Sequence, residues 1–306
     1  MLQIYSASSR YAKVRYRNKL STETLPLLLL LVLLCCLSGC AAAPIARSDA
    51  PYQLSAAEIR WRSLSPGIEA ADIADPQLPL IVHIVKIDLL NPSVSVITSE
   101  AALFKNTRGR IRGETTRDFA LRHNTIAAFN AAPFKTNSLL FSIYRTIVGI
   151  HITDFRRMSM PNERYGALLF YKDKTARIIG SQTEDALSAD VRYAVGGFWT
   201  ILRNGTIVPQ KLHRRDSRTA VGLADSGKTL FVAAVEGENK RKSRGLSFEE
   251  TAMLMQTLGA DDALQLDGGS SSTLVLQENG EQHIVAPTLG LNIHIRVASN
   301  IGIIVE

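Results

Sequence analysis

An acidic residue followed by glycines and hydroxyl side chains is the segment of this 306-residue chain best suited to chemistry. Asp267 ends an alternating apolar run, and Gly268, Gly269, Ser270 and Ser271 follow it. Glycine can adopt positive φ and leaves its N–H open to a ligand, while serine hydroxyls donate to ligand oxygens. The pattern indicates a strand that presents a carboxylate beside accessible backbone. Asp-Gly between two apolar runs is also typical of a plain hairpin, and this segment alone leaves both interpretations open.

A second acidic residue, Glu236, ends another apolar run upstream. Between the two acids the sequence predicts a helix, because residues 247–250 read Ser-Phe-Glu-Glu and form a capping box. A strand, a helix and a strand over this length predict a βαβ crossover with parallel strands. The carboxyl ends of such strands share one sheet edge, where ligands bind, so Glu236 and Asp267 are expected side by side.

The expected fold class is therefore α+β (mixed α/β). It has a mixed β-sheet with flanking helices, and its βαβ unit carries the acidic site near the C-terminus.

Charge is concentrated near the N-terminus. The net charge is +7, and residues 1–39 account for +4 of it, with five basic residues and one acid. The remaining residues carry a net charge of +3, which is too small to indicate nucleic-acid binding, so a nucleic-acid partner is not expected.

The N-terminal segment has the pattern of a targeting signal. A basic region precedes the apolar run 27–37, which has the length of a signal-peptide core and is too short to span a bilayer. Leu37-Ser38-Gly39-Cys40 resembles the bacterial lipoprotein signal, in which the cysteine is lipidated. The expected organisation is a lipoprotein signal peptide over residues 1–39, a tether over 40–54 and one domain over 55–306. The implied location is the cell envelope, lipid-anchored at the periplasmic face of a membrane; a short uncleaved anchor is the alternative.

Several catalytic classes lack their residues. All three cysteines lie at or before Cys40, which leaves the predicted domain without a thiol nucleophile or a disulfide. The chain has no His-Glu-x-x-His motif for zinc and no Gly-x-Ser-x-Gly nucleophile elbow.

Five short segments, in this order, resemble the phosphodiester glycosidase family over roughly residues 125–305. The five are Ala194-Val195-Gly196-Gly197, Arg218-Thr219-Ala220-Val221-Gly222, Glu236-Gly237, Leu264-Gln265-Leu266-Asp267-Gly268-Gly269-Ser270-Ser271 and Arg296-Val297-Ala298-Ser299-Asn300. Three departures accompany them. The chain has Asn130-Ala131-Ala132-Pro133-Phe134 where the family usually has Asn-Gly-Gly-Phe, Ser270 replaces a third glycine, and Glu236 replaces an aspartate.

The resemblance implies a hydrolase that cleaves the bond between a sugar's anomeric carbon and a phosphodiester oxygen, releasing a sugar and a phosphomonoester. Asp267 and Glu236 would be its catalytic carboxylates, and Arg218 and Arg296 would clamp the phosphate bidentately. The expected substrate-binding positions are Asn130, Gly196, Gly197, Arg218, Gly268, Gly269, Ser270, Ser271, Arg296 and Asn300.

Each assignment has a plainer alternative. Glu236 could form a salt bridge with one of Lys240, Arg241 and Lys242. Either arginine could pair internally with Asp267 or Glu236. Asn130 is expected to hydrogen-bond sugar hydroxyls or to orient Asp267, and its plainer alternative is a turn-forming residue at the end of a strand. A hard cation such as Ca²⁺ or Mg²⁺ on Asp267, Glu236 and Asn130 also stays open. The competing function is a non-catalytic envelope lipoprotein that binds a glycan or a protein partner.

Overall fold

The computed structural model describes residues 59–75, 79–100, 109–136, 143–286 and 295–306. Contacts divide the chain after Ala50, and these residues all belong to the unit Pro51–Glu306. The predicted signal peptide, Cys40 and the tether lie outside the described residues. Within the described ranges, no helix is both long enough and apolar enough to cross a membrane.

Strands dominate the described part of the chain. In chain order they are β1 Arg62–Ser65, β2 Ile68–Asp75, β3 Leu80–Asp88, β4 Val94–Thr98, β5 Arg110–Arg112, β6 Ala127–Asn130, β7 Phe134–Thr136, β8 Tyr144–Ile147, β9 His151–Thr153, β10 Arg156–Ser159, β11 Ala167–Tyr171, β12 Ala176–Ile179, β13 Val191–Gly196, β14 Thr200–Arg203, β15 Thr206–Ile207, β16 Arg218–Ala224, β17 Thr229–Val235, β18 Asp262–Gln265, β19 Leu274–Glu278, β20 Glu281–Ala286 and β21 Asn300–Val305.

Two α-helices and three short 3₁₀ turns complete the described elements. They are α1 Thr116–His123, α2 Phe248–Thr257 and the 3₁₀ turns Glu184–Ala186, Asp225–Gly227 and Gly269–Ser271. The capping box predicted for α2 is confirmed, because the Ser247 hydroxyl accepts from Glu250 N and Glu250 Oε2 accepts from Ser247 N.

The strands form four sheets. An eight-stranded sheet has the order β1-β2-β3-β17-β16-β18-β14-β15. Two five-stranded sheets have the orders β10-β9-β13-β11-β12 and β20-β19-β6-β21-β4, and a three-stranded sheet has the order β5-β8-β7. Every pairing between the described strands is antiparallel, as in β16 with β17 and β16 with β18.

The expected α+β class with a βαβ unit is therefore wrong: the protein is mainly β. Helix α2 does connect β17 to β18, but β16 lies between these two strands and is antiparallel to both. The two strands point the same way without pairing with each other. The alternation of apolar residues predicts a strand but carries no information about which distant strand will be its neighbour, and here β16 inserts between the two.

Both faces of the eight-stranded sheet are buried. One face, which carries Val221, belongs to a central cluster that also includes residues from the other three sheets, such as Phe129, Leu168 and Ile147. The other face packs against α2 through a second cluster that contains Ala220. Side chains alternate along a strand, so neighbouring residues of β16 point to opposite faces.

Candidate active site

The Asp267 turn is fixed by hydrogen bonds from three directions. Its backbone N–H donates to Ala131 O at 2.9 Å, Leu266 N donates to Thr219 O at 2.9 Å, and Gly269 N donates to Ser217 O at 2.9 Å. The strands on either side of the turn, β18 and β19, belong to different sheets. The plain hairpin interpretation is therefore wrong, and the turn instead crosses between sheets at the end of β18.

Glycines allow this turn to approach its neighbours. Gly269 has φ +58°, in the left-handed region that favours glycine, and a Cβ on Gly268 would lie 3.1 Å from Ser217 O. Ser270 is exposed at the tip of the turn, and Ser271 is buried beneath it.

Asp267 is half-buried. Burial raises the pKa of Asp267 to about 6, although hydrogen bonds from the Ser271 hydroxyl and the Gly268 N–H act in the opposite direction. A carboxyl group with this pKa can change its protonation state close to neutral pH, which general acid–base chemistry requires.

Asn130 is fully buried and supports the same turn. Its Nδ2 donates to Asp267 O at 2.8 Å, and its Oδ1 accepts from the Thr219 hydroxyl at 2.7 Å and from Thr273 N at 3.0 Å. Both lone pairs of Oδ1 are thereby used, so the geometry favours the alternative in which Asn130 orients Asp267. Thr219 and Thr273 carry no separate signal in the sequence.

The two alanines that replace family glycines also lie behind the turn. Ala131 and Ala132 are buried, and their N–H groups donate to the backbone oxygen and the hydroxyl of Ser299 at 3.0 and 2.8 Å. Ala131 O in turn receives the Asp267 N–H. This departure from the family pattern therefore changes a buried support of Asp267.

Glu236 lies at the same sheet edge but has a different environment. Its side chain is 20% exposed, and Oε1 lies 3.1 Å from His83 Nε2. The other ring nitrogen, Nδ1, lies 2.6 Å from Asp72 Oδ1. Among the ion pairs of the described residues, Glu236 has His83 as its partner and none of the three predicted bases.

The pair Glu236–His83 extends into a longer network. Arg62 donates to Asp72 at 2.8 Å and to Glu278 at 2.7 Å. Burial lowers the pKa of His83, but the hydrogen bonds and charges of Asp72 and Glu236 outweigh burial, so its pKa is raised overall. The hydrogen bond from His83 lowers the pKa of Asp72 against the effect of burial. Because carboxylates face both ring nitrogens, the doubly protonated imidazolium satisfies both contacts.

Arg218 points to the helix face of the sheet. Its Nε donates to Leu246 O at 3.0 Å, its Nη2 donates to Arg214 O at 2.7 Å, and its guanidinium lies 4.2 Å from the ring centre of Phe248. Burial lowers the pKa of Arg218 to about 10. The described part of the chain places no carboxylate within ion-pair distance of it, so the internal pairing considered for Arg218 is not formed. These contacts link the segment before β16 to the start of α2, so Arg218 has a structural role.

Arg296 is exposed, and its Nη1 donates to Gly113 O at 3.3 Å. Arg145 Nε donates to the backbone oxygen of Arg296 at 3.1 Å, so the two cationic residues are neighbours. The burial of Arg145, followed by the charge of Arg296, lowers the pKa of Arg145.

Three other predicted binding residues have supporting positions. A Cβ on Gly197 would lie 2.8 Å from Gln265 O, and one on Gly196 would lie 3.0 Å from Gln182 Nε2, so Gly197 permits close packing against β18 and Gly196 permits close packing against Gln182. Asn300 is fully buried in β21, where its Oδ1 accepts from the Thr116 hydroxyl.

The cation set considered from the sequence does not fit this geometry. Asn130 Oδ1 already accepts two hydrogen bonds, and Glu236 faces His83. The described residues contain no group of three or more His, Cys, Asp or Glu side chains arranged to hold a metal ion.

A family model described as phosphodiester glycosidase matches residues 123–304, which is more than half of the chain. The chain belongs to the phosphodiester glycosidase family. Membership of this family suggests a hydrolase of sugar phosphodiesters. No curated protein matches the sequence.

Solved structures of low sequence identity share the fold. A hypothetical protein from Synechocystis is 16% identical with a TM-score of 0.61; the match covers 85% of this chain and 65% of that one. The catalytic domain of zebrafish N-acetylglucosamine-1-phosphodiester alpha-N-acetylglucosaminidase, described as auto-inhibited by its pro-peptide, is 20% identical with a TM-score of 0.58, covering 81% and 88%. A protein described as exported, from Burkholderia pseudomallei K96243, is 15% identical with a TM-score of 0.55, covering 74% of each chain.

The phosphodiester glycosidase match includes both acidic turns but not the network behind Glu236. Arg62, Asp72 and His83 lie on β1, β2 and β3, before residue 123. The sequence interpretation missed them, although His83 is a polar residue inside an alternating apolar strand and such a residue usually has a partner when buried.

Proposed function

We propose that this protein hydrolyses the bond between the anomeric carbon of a sugar and the oxygen of a phosphodiester, with Asp267 as the catalytic carboxyl group. The observation that carries the proposal is the Asp267 turn. A half-buried carboxyl group, with its pKa raised to about 6, is fixed at a sheet edge inside the segment that matches the phosphodiester glycosidase model.

In the proposed step, the bond between the anomeric carbon and the phosphate oxygen breaks and its electron pair stays with the phosphate. Water attacks the anomeric carbon and transfers a proton to the Asp267 carboxylate, which later releases that proton to solvent. The products are a free sugar and a phosphomonoester. The developing positive charge on the sugar is stabilised by nearby carboxylates, the role we propose for Glu236.

The matched test compares Asp267→Asn with Asp261→Asn. Asp261 is an exposed aspartate just before the other end of the same strand, β18, and therefore controls for the loss of one carboxylate. A panel of sugar 1-phosphodiesters is incubated with each protein, and free reducing sugar and phosphomonoester are measured. We expect turnover by wild type and Asp261→Asn and loss of turnover in Asp267→Asn. Equal rates in all three would remove Asp267 from the reaction.

The competing function, a binder without catalysis, has its own signature in this assay. It predicts saturable binding of a panel member by the wild-type protein with no product, both with and without added Ca²⁺ or Mg²⁺.

We also propose that the protein is exported and tethered to a membrane of the cell envelope through lipid on Cys40. The support is the signal-like segment of residues 1–39. Expression with Cys40→Ser tests this: the wild-type protein is expected in the membrane fraction with a lipid-modified N-terminal cysteine, and the variant without that modification. An unmodified Cys40 in the wild-type protein contradicts the anchor.

A further inference from the structure

The three-stranded sheet has a strongly basic outer face. In its ladder Arg110 pairs with Thr146, which pairs with Lys135, and Arg112 pairs with Tyr144. Paired residues point to the same side of a sheet, so these five side chains share one face, here called the basic face. The opposite face carries Ile111 and Ile147, which belong to the central core cluster.

The charges on the basic face are not neutralised by the protein. Arg110, Arg112 and Lys135 are exposed, and none of them takes part in an ion pair within the described ranges. The strands β5, β7 and β8 contain no acidic residue at all. Arg110 lies over the Tyr144 ring at 4.7 Å, which fixes one cation on an aromatic surface.

A groove of about 590 Å³ adjoins this face and shares two of its residues, Lys135 and Thr146. Its other walls include Val148, Asn162 and the oppositely charged neighbours Glu163 and Arg164. A groove lined by an amide, charged groups and apolar side chains suits a sugar ring, and the adjoining cations suit phosphate.

The groove is connected to the Asp267 turn by two hydrogen bonds and a short chain segment. Asp267 N donates to Ala131 O at 2.9 Å, and Val148 N donates to Pro133 O at 2.8 Å. Ala131 and Pro133 are two residues apart, a distance of at most about 7 Å along the chain. A molecule that extends a few sugar units beyond Asp267 is therefore long enough to reach the groove.

We propose that the basic face and its groove bind an anionic, phosphodiester-linked glycan chain on one side of the bond presented to Asp267, so that the substrate is a polymer with several phosphates. This inference rests on the proposed function. A neutral glycan cannot form ion pairs with the three uncompensated cations. Each phosphate of a polyanion can pair with one of them, and the release of its bound counterions then favours binding.

The test uses the full protein and a purified polymer of N-acetylglucosamine 1-phosphate repeats. The probes for comparison are the methyl phosphodiester of N-acetylglucosamine 1-phosphate, neutral dextran and double-stranded DNA. We compare the wild type with the triple variant Arg110→Gln, Arg112→Gln, Lys135→Gln. The control replaces three exposed cations elsewhere in the fold, Arg156→Gln, Arg177→Gln and Lys228→Gln.

We expect the wild type to bind the sugar-phosphate polymer about tenfold more tightly than the short probe, and this affinity to fall about tenfold between 50 and 200 mM salt. The triple variant should lose about tenfold in polymer affinity and raise KM for the polymer, with kcat for the short probe unchanged. The control variant should match the wild type. If the triple variant melts earlier than the wild type, Lys135→Glu alone is used, and the same loss is expected.

The outcomes separate this inference from the proposed function. Strong polymer binding that the triple variant loses, without turnover of any probe, supports the basic face and contradicts the hydrolase. Turnover of the short probe with equal binding of the polymer and dextran supports the hydrolase and overturns the inference. Binding of DNA as tight as that of the polymer also overturns it, because the face would then be a general polyanion surface.

Discussion

Asp267 and Glu236 follow two strands that run in the same direction with β16 between them, yet their carboxyl groups have different surroundings. Asp267 is held by a serine hydroxyl and a backbone N–H, with burial raising its pKa to about 6. Glu236 faces His83, which Asp72 and Arg62 support from behind. The Asp267 carboxyl group can exchange a proton near neutral pH, whereas the Glu236 carboxyl group is held in place by the His83 ring.

The comparison assigns different tasks to residues that looked alike in the sequence. Proton exchange suits Asp267, and stabilisation of developing charge by a side chain that His83 orients is the role proposed for Glu236. Substituting each residue in turn should therefore change turnover and stability by amounts that differ in size and in pH dependence.

The largest expected effect is on turnover. Asp267→Asn should lower kcat by about a thousandfold, because it removes the proton acceptor. Glu236→Gln should lower kcat about tenfold to a hundredfold, because it removes a charge that only stabilises. Rates on the same sugar 1-phosphodiester measure both. The reverse order of the two effects would exchange their roles.

The second expected effect is that Asp267→Asn stabilises the folded protein at high pH. In the unfolded chain an aspartate has its ordinary pKa of 3.8, whereas in the folded protein the pKa is about 6. The cost of ionising Asp267 in the fold is absent below pH 3.8, grows between pH 3.8 and 6, and is constant above, at on the order of 3 kcal/mol.

Denaturant unfolding at pH 3.5 and pH 8 measures this difference. Asp267→Asn should match the wild type at pH 3.5 and exceed it at pH 8, while Asp261→Asn should stay close to the wild type at both. An equal difference between wild type and Asp267→Asn at the two pH values contradicts a raised pKa of Asp267 in the folded protein.

A smaller effect on stability is expected for His83→Gln, which removes the ring that contacts both Asp72 and Glu236. The raised pKa of His83 contributes stability fully below pH 6.5, and this contribution is lost as the pH rises through the folded value. The lowered pKa of Asp72 contributes above pH 3.8 and is lost as the pH falls through its folded value. The variant should therefore be less stable than the wild type between pH 4 and 6.5. The loss should be only about 1 kcal/mol, because Asp72 is half exposed and solvent screens its charge.

Thermal melting across the pH range checks this window. The gap between His83→Gln and the wild type should shrink as the pH rises above 6.5 through the folded pKa of His83, and a gap of constant size from pH 4 to 9 would show that His83 contributes by packing alone. Lys86→Gln is the control, since Lys86 lies on the same strand and pairs with Glu69 at the surface.

The smallest expected effect is a displacement of the pH profile by Ser271→Ala. The Ser271 hydroxyl lowers the pKa of Asp267, so its removal should raise that pKa further. If ionised Asp267 is the base, the acid limb of kcat/KM has its midpoint near pH 6 in the wild type and moves upward by about half a pH unit in Ser271→Ala. Ser270→Ala, at the exposed tip, should leave the midpoint in place.

Local signals in the sequence predicted individual elements well. Residues 116–123 have a helical pattern and form α1, and the capping box of α2 is present. Asn-Gly between two short runs predicts a hairpin turn, and Asn204 and Gly205 form the turn between β14 and β15 with positive φ at both residues. These features depend on neighbours three or four residues apart, which the sequence shows directly.

Predictions about distant pairing were less successful. Asn91-Pro92 between two apolar runs predicts a turn that pairs residues 94–96 with β3, the strand before them, but β4 pairs with β21 more than 200 residues later. The parallel βαβ unit was wrong for a similar reason, because β16 comes between β17 and β18.

The sequence by itself determined the acid-glycine turn, its place after a strand and the family to which the chain belongs, because these depend on residue types in consecutive positions. Only the tertiary structure decided that Glu236 faces His83, that Arg218 turns toward α2, and that Asp267 lacks a cationic partner among the described residues. Strand order and burial set those contacts, and both arise from residues far apart in the chain.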